Sequence, residues 1–184
     1  MQKINEQVIK TWFNQNKVFA YPTEAVFGLG CNPLSEEAVD KILSLKSRPV
    51  EKGMILIASS LDQLRPFIKF EDVARENQSR IIATWPGPYT WLIPKSKHTP
   101  WWVSGDSEFV AVRVTSHPIV RAICDAVESP IISTSANPAG LEPARSEVEV
   151  GKYFGEQVEL VSGALGDQAQ PSTIIHSLTL QTLR

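Results

Sequence analysis

The stretch Tyr21-Pro22-Thr23-Glu24-Ala25-Val26-Phe27-Gly28-Leu29-Gly30 decides how this chain is read. Apolar residues from Val18 to Tyr21 form a strand, and Pro22 ends it, because proline has no N–H for a ladder and a fixed φ. A hydroxyl and a carboxylate follow at once, at Thr23 and Glu24, and then two glycines one residue apart. A polar pair just after a buried strand, beside backbone that can approach a ligand closely, is how small-molecule sites begin in α/β proteins. The same residues also fit a plain strand, turn and strand with a close-packed glycine, and both readings stay open. Gly28-Leu29-Gly30 lacks the third glycine and the following helix of a dinucleotide fingerprint.

Working outward, Ile4, Val8, Ile9, Trp12 and Phe13 recur at helical spacing and predict an amphipathic helix over 3–15. Residues 26–31 predict a second strand. Ser35 is an N-cap with Glu36 and Glu37 in the first turn of a helix that ends near Lys46. Lys46 to Gly53 is a basic loop containing proline and glycine, and Met54 to Ala58 is an apolar strand buried on both faces. Helices are predicted over 61–65 and 71–84, the second broken by Trp85-Pro86-Gly87-Pro88-Tyr89. Thr90 to Pro94 is a strand, 95–108 a polar loop holding Trp101 and Trp102, and Phe109 to Val114 a central strand. Pro118 opens a helix over 117–127. Ile131 to Thr134 is a strand that leaves as the turn Ser135-Ala136-Asn137-Pro138-Ala139-Gly140. Ser146 and Glu149 form a capping box for a helix to about Phe154, and 158–161 and 173–176 are late strands. Short strands mixed with helices predict one α/β domain over 1–184, with a mixed sheet and flanking helices; periodicity does not order the strands.

Composition narrows the function. A chain of 184 residues, 42% hydrophobic and 21% charged, can bury a proper core. Its net charge of -2 means that any nucleic-acid contact must come from a local patch. Cys31 and Cys124 form neither a metal spacing nor a disulfide framework, which points to a reducing, cytoplasmic location. No signal peptide and no apolar run of membrane-spanning length is visible.

Four loops carry polar residues at strand ends, where α/β folds place ligands: Thr23-Glu24, Lys46 to Lys52, Ser133 to Asn137, and Ser172-Thr173. Lys46 and Arg48 set a point charge beside a planar fork, which suits a polyphosphate, though Lys46 also fits a cation at a helix C-terminus. Ser133-Thr134-Ser135-Ala136-Asn137 offers three hydroxyls and an amide, which fit either a ligand or a self-satisfied turn. Arg113 in an apolar strand requires an anion, either Glu24 or a ligand carboxylate. His98, His117 and His176 have no ligand spacing and read as satisfied or surface side chains. There is no zinc motif, no nucleophile triad and no Walker A loop.

Taken together, six segments resemble the YrdC family, in its order: Pro22 to Gly30, Lys46-Ser47-Arg48-Pro49, Pro86 to Thr90, Val112-Arg113-Val114, Ser133 to Asn137, and Pro171-Ser172-Thr173. The match runs from about Val8 to His176, and the length is similar to the family's short bacterial form. The resemblance implies a twisted mixed sheet with a concave basic face. It implies that L-threonine, bicarbonate and ATP give threonylcarbamoyl-adenylate and pyrophosphate, with other proteins then transferring the group to an adenosine beside a tRNA anticodon. It further implies that Thr23, Arg113, Ser133 and Ser172 contact threonine. Lys46, Arg48, Ser135, Asn137 and, with less support, Arg145 would meet ATP, Lys46 and Arg48 acting catalytically. Mg²⁺ would be held mainly by ATP, with no dedicated protein metal site. Ala25 and Phe27 stand where many relatives carry Thr and Tyr. Two rivals remain: an RNA-binding ribosome maturation factor without catalysis, and carbamoyl transfer from carbamoyl phosphate.

Overall fold

The computed structural model describes residues 4–184. Helix α1 spans Glu6–Asn14, with Asn5 as its N-cap; the predicted start at residue 3 lies outside the described residues. Strands β1 (Phe19–Pro22) and β2 (Phe27–Gly30) pair antiparallel, Pro22 opposite Phe27, so the loop 23–26 is the tip of a hairpin. Helix α2 (Glu36–Lys46) is capped by Ser35 and stops where Ser47 turns left-handed. After β3 (Ile55–Ala58) come α3 (Leu61–Leu64) and then α4 (Arg75–Ala83). The single helix predicted over 71–84 is therefore two pieces, a 3₁₀ turn at Phe70–Asp72 and α4, because Val73 is extended and turns into the core.

Strand β4 (Tyr89–Pro94) is followed by α5 (Trp101–Ser104), one helical turn inside the predicted loop. It forms because Val103 is buried beneath it and the Trp102 indole donates to the Pro33 carbonyl at 3.0 Å. Then follow β5 (Phe109–Val114), α6 (Pro118–Val127), β6 (Ile131–Ser135), α7 (Glu147–Phe154), β7 (Glu159–Leu160) and β8 (Thr173–His176).

The strands make one eight-stranded mixed sheet in the order β7-β1-β2-β6-β3-β5-β4-β8. Strand β6 is shared along its length: Ile131 to Ser133 pair with β3, while Thr134 and Ser135 pair with β2. Side chains alternate across the sheet. Leu56, Val112 and Ile132 face the larger core with α2, and Phe19, Tyr21, Ile57 and Ile131 face the smaller core built by α1 and α6. The helices leave part of that second face uncovered. There Ile55, Ala111, Arg113, Thr90 and Leu92, from three neighbouring strands, line an open cavity of about 800 Å³.

Candidate active site

The hairpin tip forms one wall. Thr23 closes the turn twice over: its N–H and its hydroxyl both donate to the Val26 carbonyl, at 3.1 and 2.7 Å. The Thr23 lone pairs therefore remain for a ligand donor. The two glycines divide their roles. A Cβ on Gly30 would lie 2.7 Å from the Tyr21 ring and 2.8 Å from the Ile132 carbonyl, so Gly30 serves the core. Gly28 lines the cavity beside Thr23.

Lys46 ends α2 and is 7% exposed. Its ammonium donates to the Ser135 carbonyl at 2.5 Å, the Asn137 carbonyl at 2.8 Å and Asn137 Oδ1 at 3.2 Å. Ser135 Oγ also donates to Asn137 Oδ1, and Asn137 Nδ2 bonds the Pro138 and Leu141 carbonyls. Two segments almost ninety residues apart in the chain are thus one network: Lys46 shapes the turn after β6 and charges it. Burial, and secondarily the Arg48 charge, push its pKa down to about 8. Arg48 donates through Nη2 to the Gly53 carbonyl at 2.9 Å, while its buried Nε has no partner.

Arg113 settles the question its strand raised. Nε donates to the Gly87 carbonyl at 2.9 Å, and Nη2 lies 2.5 Å from Glu24 Oε1. That contact is an ion pair without hydrogen-bond alignment, since Nη2 has no hydrogen-bond partner. Glu24 Oε1 is in turn bonded by the Thr115 hydroxyl at 2.7 Å. Glu24 is therefore one anion partner of Arg113. Nη1 has no hydrogen bond among the described residues and remains for a second, in the cavity that Arg113 lines. The Pro86-Gly87-Pro88 break acquires a purpose here: Gly87 is anchored by its N–H to the Val114 carbonyl at 3.0 Å and turns its own carbonyl to Arg113.

The remaining predicted residues divide. Ser133 accepts from the buried Tyr21 hydroxyl at 2.9 Å, and Ser172 shares a 2.7 Å bond with Thr90; both line the cavity, as do Ser135 and Asn137. Arg145 is exposed and outside the cavity lining, so its assignment to phosphate rests on the resemblance alone. His98 is exposed and His176 packs on Phe109 at 4.4 Å, whereas His117 is buried with an unpartnered Nδ1. Sequence reasoning missed Arg184. Residues 181–184 fold back along β8, and the Arg184 guanidinium reaches the Ser172 carbonyl at 3.2 Å on the cavity wall. No local motif signals it.

Fold and cavity define an α/β protein with a cation-lined cavity: among the described residues, Lys46, Arg48, Lys52, Arg113 and Arg184 line it against one side-chain carboxylate, Glu24. A family model described as "Telomere recombination" (Sua5_yciO_yrdC) matches residues 11–184. The chain belongs to this family. It is 51% identical over 168 residues to the threonylcarbamoyl-AMP synthase of Pseudoalteromonas atlantica, covering 91% of this chain and 90% of that one. It is 46% identical over 180 residues to the protein of the same name from Vibrio campbellii, covering 97% of each. Among solved structures, P. abyssi Sua5 complexed with L-threonine superposes with a TM-score of 0.86 at 32% identity. That match covers 95% of this chain and 52% of the Sua5 chain, so this chain spans about half of that longer relative. E. coli YciO, at 23% identity and a TM-score of 0.80, shares the fold; its match covers 99% of this chain and 92% of YciO.

Proposed function

We propose that this protein is a threonylcarbamoyl-AMP synthase, an adenylate-forming nucleotidyltransferase that joins L-threonine, bicarbonate and ATP. The observation that carries the proposal is the convergence of Thr23, Lys46, Arg48, Arg113, Ser133 and Ser172, from five separate segments, on one cation-lined cavity. Near-full-length identity to relatives bearing that name supports it. Residues 1–184 act as one such domain, as the single sheet from Phe19 to His176 suggests.

The threonine amine first becomes a carbamate. A carbamate oxygen then attacks the α-phosphorus of ATP, and pyrophosphate leaves. No protein nucleophile takes part, so catalysis is positioning and charge stabilisation. Arg113 Nη1 holds the threonine carboxylate, while Thr23, Ser133 and Ser172 fix its polar groups. Arg48 and Lys46 face the charge that develops on the α-phosphate and the leaving group. Lys46 does so while holding Ser135 and Asn137 in place. Mg²⁺ would be held by ATP rather than by the protein and would supply charge neutralisation at the phosphates. Among the described residues the cavity lining has one side-chain carboxylate, Glu24, whose Oε1 already holds Arg113 and Thr115, which does not fit a carboxylate cage for the ion.

In the cell the labile adenylate passes to threonylcarbamoyl-transfer proteins that act on tRNA in the cytoplasm. Among the described residues, no helix is long and apolar enough to cross a membrane. The test is pyrophosphate release from ATP with bicarbonate, with and without L-threonine, and with serine for comparison. Threonine-dependent release is expected. RNA binding with steep salt dependence and no turnover would favour the non-catalytic maturation factor instead.

A further inference from the structure

Glu24 is the only aspartate or glutamate lining the cavity among the described residues, and it faces five cationic side chains there. It is 9% exposed. Its two oxygens are unequal. Oε1 holds the Thr115 hydroxyl and the Arg113 guanidinium. Oε2 is buried with no hydrogen-bond partner among the described residues. An unsatisfied carboxylate oxygen is costly to bury, by about 1–3 kcal/mol or more in general, and calls for a donor the protein itself does not supply.

The surroundings keep Glu24 in place for such a donor. Its carbonyl accepts from Gln168 N–H at 3.0 Å, and the Thr23 carbonyl accepts from Gly166 N–H at 2.9 Å, so the 163–171 segment is laid along it. A Cβ on Gly166 would lie 2.9 Å from Glu24 Cα, which only glycine avoids. The charged and titratable groups within electrostatic reach are Arg113 on β5, His117 before α6 and Tyr21 on β1. Burial holds His117 below the ordinary histidine range and drives Tyr21 up, so both are neutral near pH 7 and Arg113 is the one cation paired to Glu24.

Among the described residues, the other charged side chains on the cavity wall are cationic and repel an ammonium. We propose that Glu24 receives the α-ammonium of threonine and takes its proton at Oε2 as the carbamate forms. This inference rests on the reading of the protein as a threonine-carbamoylating enzyme. The step balances as follows. Threonine ammonium and bicarbonate form a new N–C bond, and the C–OH bond of bicarbonate breaks to release water. The carbamate is left, and one proton is transferred to the Glu24 carboxylate, from which solvent removes it after turnover. Arg113 Nη1 and Glu24 then address the two charged ends of one amino acid, carboxylate and ammonium, from adjacent positions.

The test measures binding of L-threonine and of its analogue with hydroxyl in place of the amine, 2,3-dihydroxybutanoate, to wild type, Glu24→Gln and Glu24→Asp, together with threonine-dependent pyrophosphate release. Wild type is expected to prefer threonine at least tenfold. In Glu24→Gln, which keeps an acceptor for Thr115, that preference falls below threefold and kcat drops at least a hundredfold, while the analogue binds as in wild type. Glu24→Asp recovers part of both. If Glu24→Gln weakens threonine and the analogue equally, Glu24 only positions Arg113 and the proposal is overturned. It is also overturned if wild type itself does not distinguish the two ligands, which decides the matter even if the variants do not fold. Wild type that turns over threonine beside an equally active Glu24→Gln removes Glu24 alone, whereas wild type with no threonine-dependent release removes the enzymatic reading and this inference with it.

Discussion

The Lys46 ammonium sits 2.8 Å from the Asn137 carbonyl and 2.5 Å from that of Ser135, so the end of α2 and the turn after β6 are one structural unit. Replacing Lys46 therefore does two things. Lys46→Ala removes a positive charge from the cavity and three hydrogen bonds from the turn, of whose acceptors the Ser135 carbonyl keeps the Asn137 N–H and Asn137 Oδ1 keeps the Ser135 hydroxyl. The expected loss in kcat/KM is about a hundred- to a thousandfold, the size seen when one key electrostatic donor is removed. A fall in stability of about 1–3 kcal/mol accompanies it. Steady-state kinetics beside chemical denaturation checks both; unchanged kinetics in a folded variant would refute the role.

Lys46 also sets a pH signature. Burial and Arg48 lower its pKa to about 8, against 10.5 for an ordinary lysine. Between these values the unfolded chain binds the proton and the folded chain does not, so this group's contribution to stability rises with pH across that window. Activity that needs the charged form falls as pH passes about 8. Opposite pH trends in melting temperature and kcat/KM are expected in wild type, measured as the difference from Lys46→Met. Parallel trends would contradict the assignment.

Arg113 holds Gly87 through Nε and Glu24 through Nη2. Lysine has neither the fork nor a second nitrogen. Arg113→Lys is expected to raise KM for threonine at least tenfold and leave KM for ATP within about threefold, the separation expected when binding of only one substrate is lost. Arg113→Ala adds a stability loss of about 3–5 kcal/mol, because Glu24 is left buried without its cation.

Two glycine substitutions separate site from core. In Gly87→Ala the new Cβ would lie 2.5 Å from the Thr84 carbonyl, so the turn must shift and carry with it the carbonyl that fixes Arg113. Threonine KM should rise. In Gly30→Ala the clash is with Tyr21 and Ile132, and the expected cost is about 1–3 kcal/mol of stability, with threonine KM unchanged in the folded protein. Equal KM effects from both would break the distinction.

Much of this was legible before any coordinates. The hairpin at the Pro22 break, the Ser35 cap and the end of α2 at Lys46 follow from local rules, whereas β3, expected to be buried on both faces, has Ile55 half-buried against the open cavity. The failures are tertiary. The α5 turn exists because Val103 and Trp102 find partners across the chain, and Val73 interrupts the predicted 71–84 helix to enter the core. Periodicity cannot order strands, so the sharing of β6 between β2 and β3 was out of reach. The site residues were named from motifs, but their bonds were not. Nothing local to Lys46 says that it holds Asn137, nothing local to Gly87 says that it aims at Arg113, and Arg184 enters only through the fold-back along β8.

The most direct measurement is mass spectrometry of the product made from ATP, L-threonine and ¹³C-bicarbonate. The account predicts a threonylcarbamoyl-adenylate carrying one ¹³C, absent without threonine and strongly reduced with Arg113→Lys at low threonine. ATP bound by folded protein with no labelled adenylate formed would contradict it.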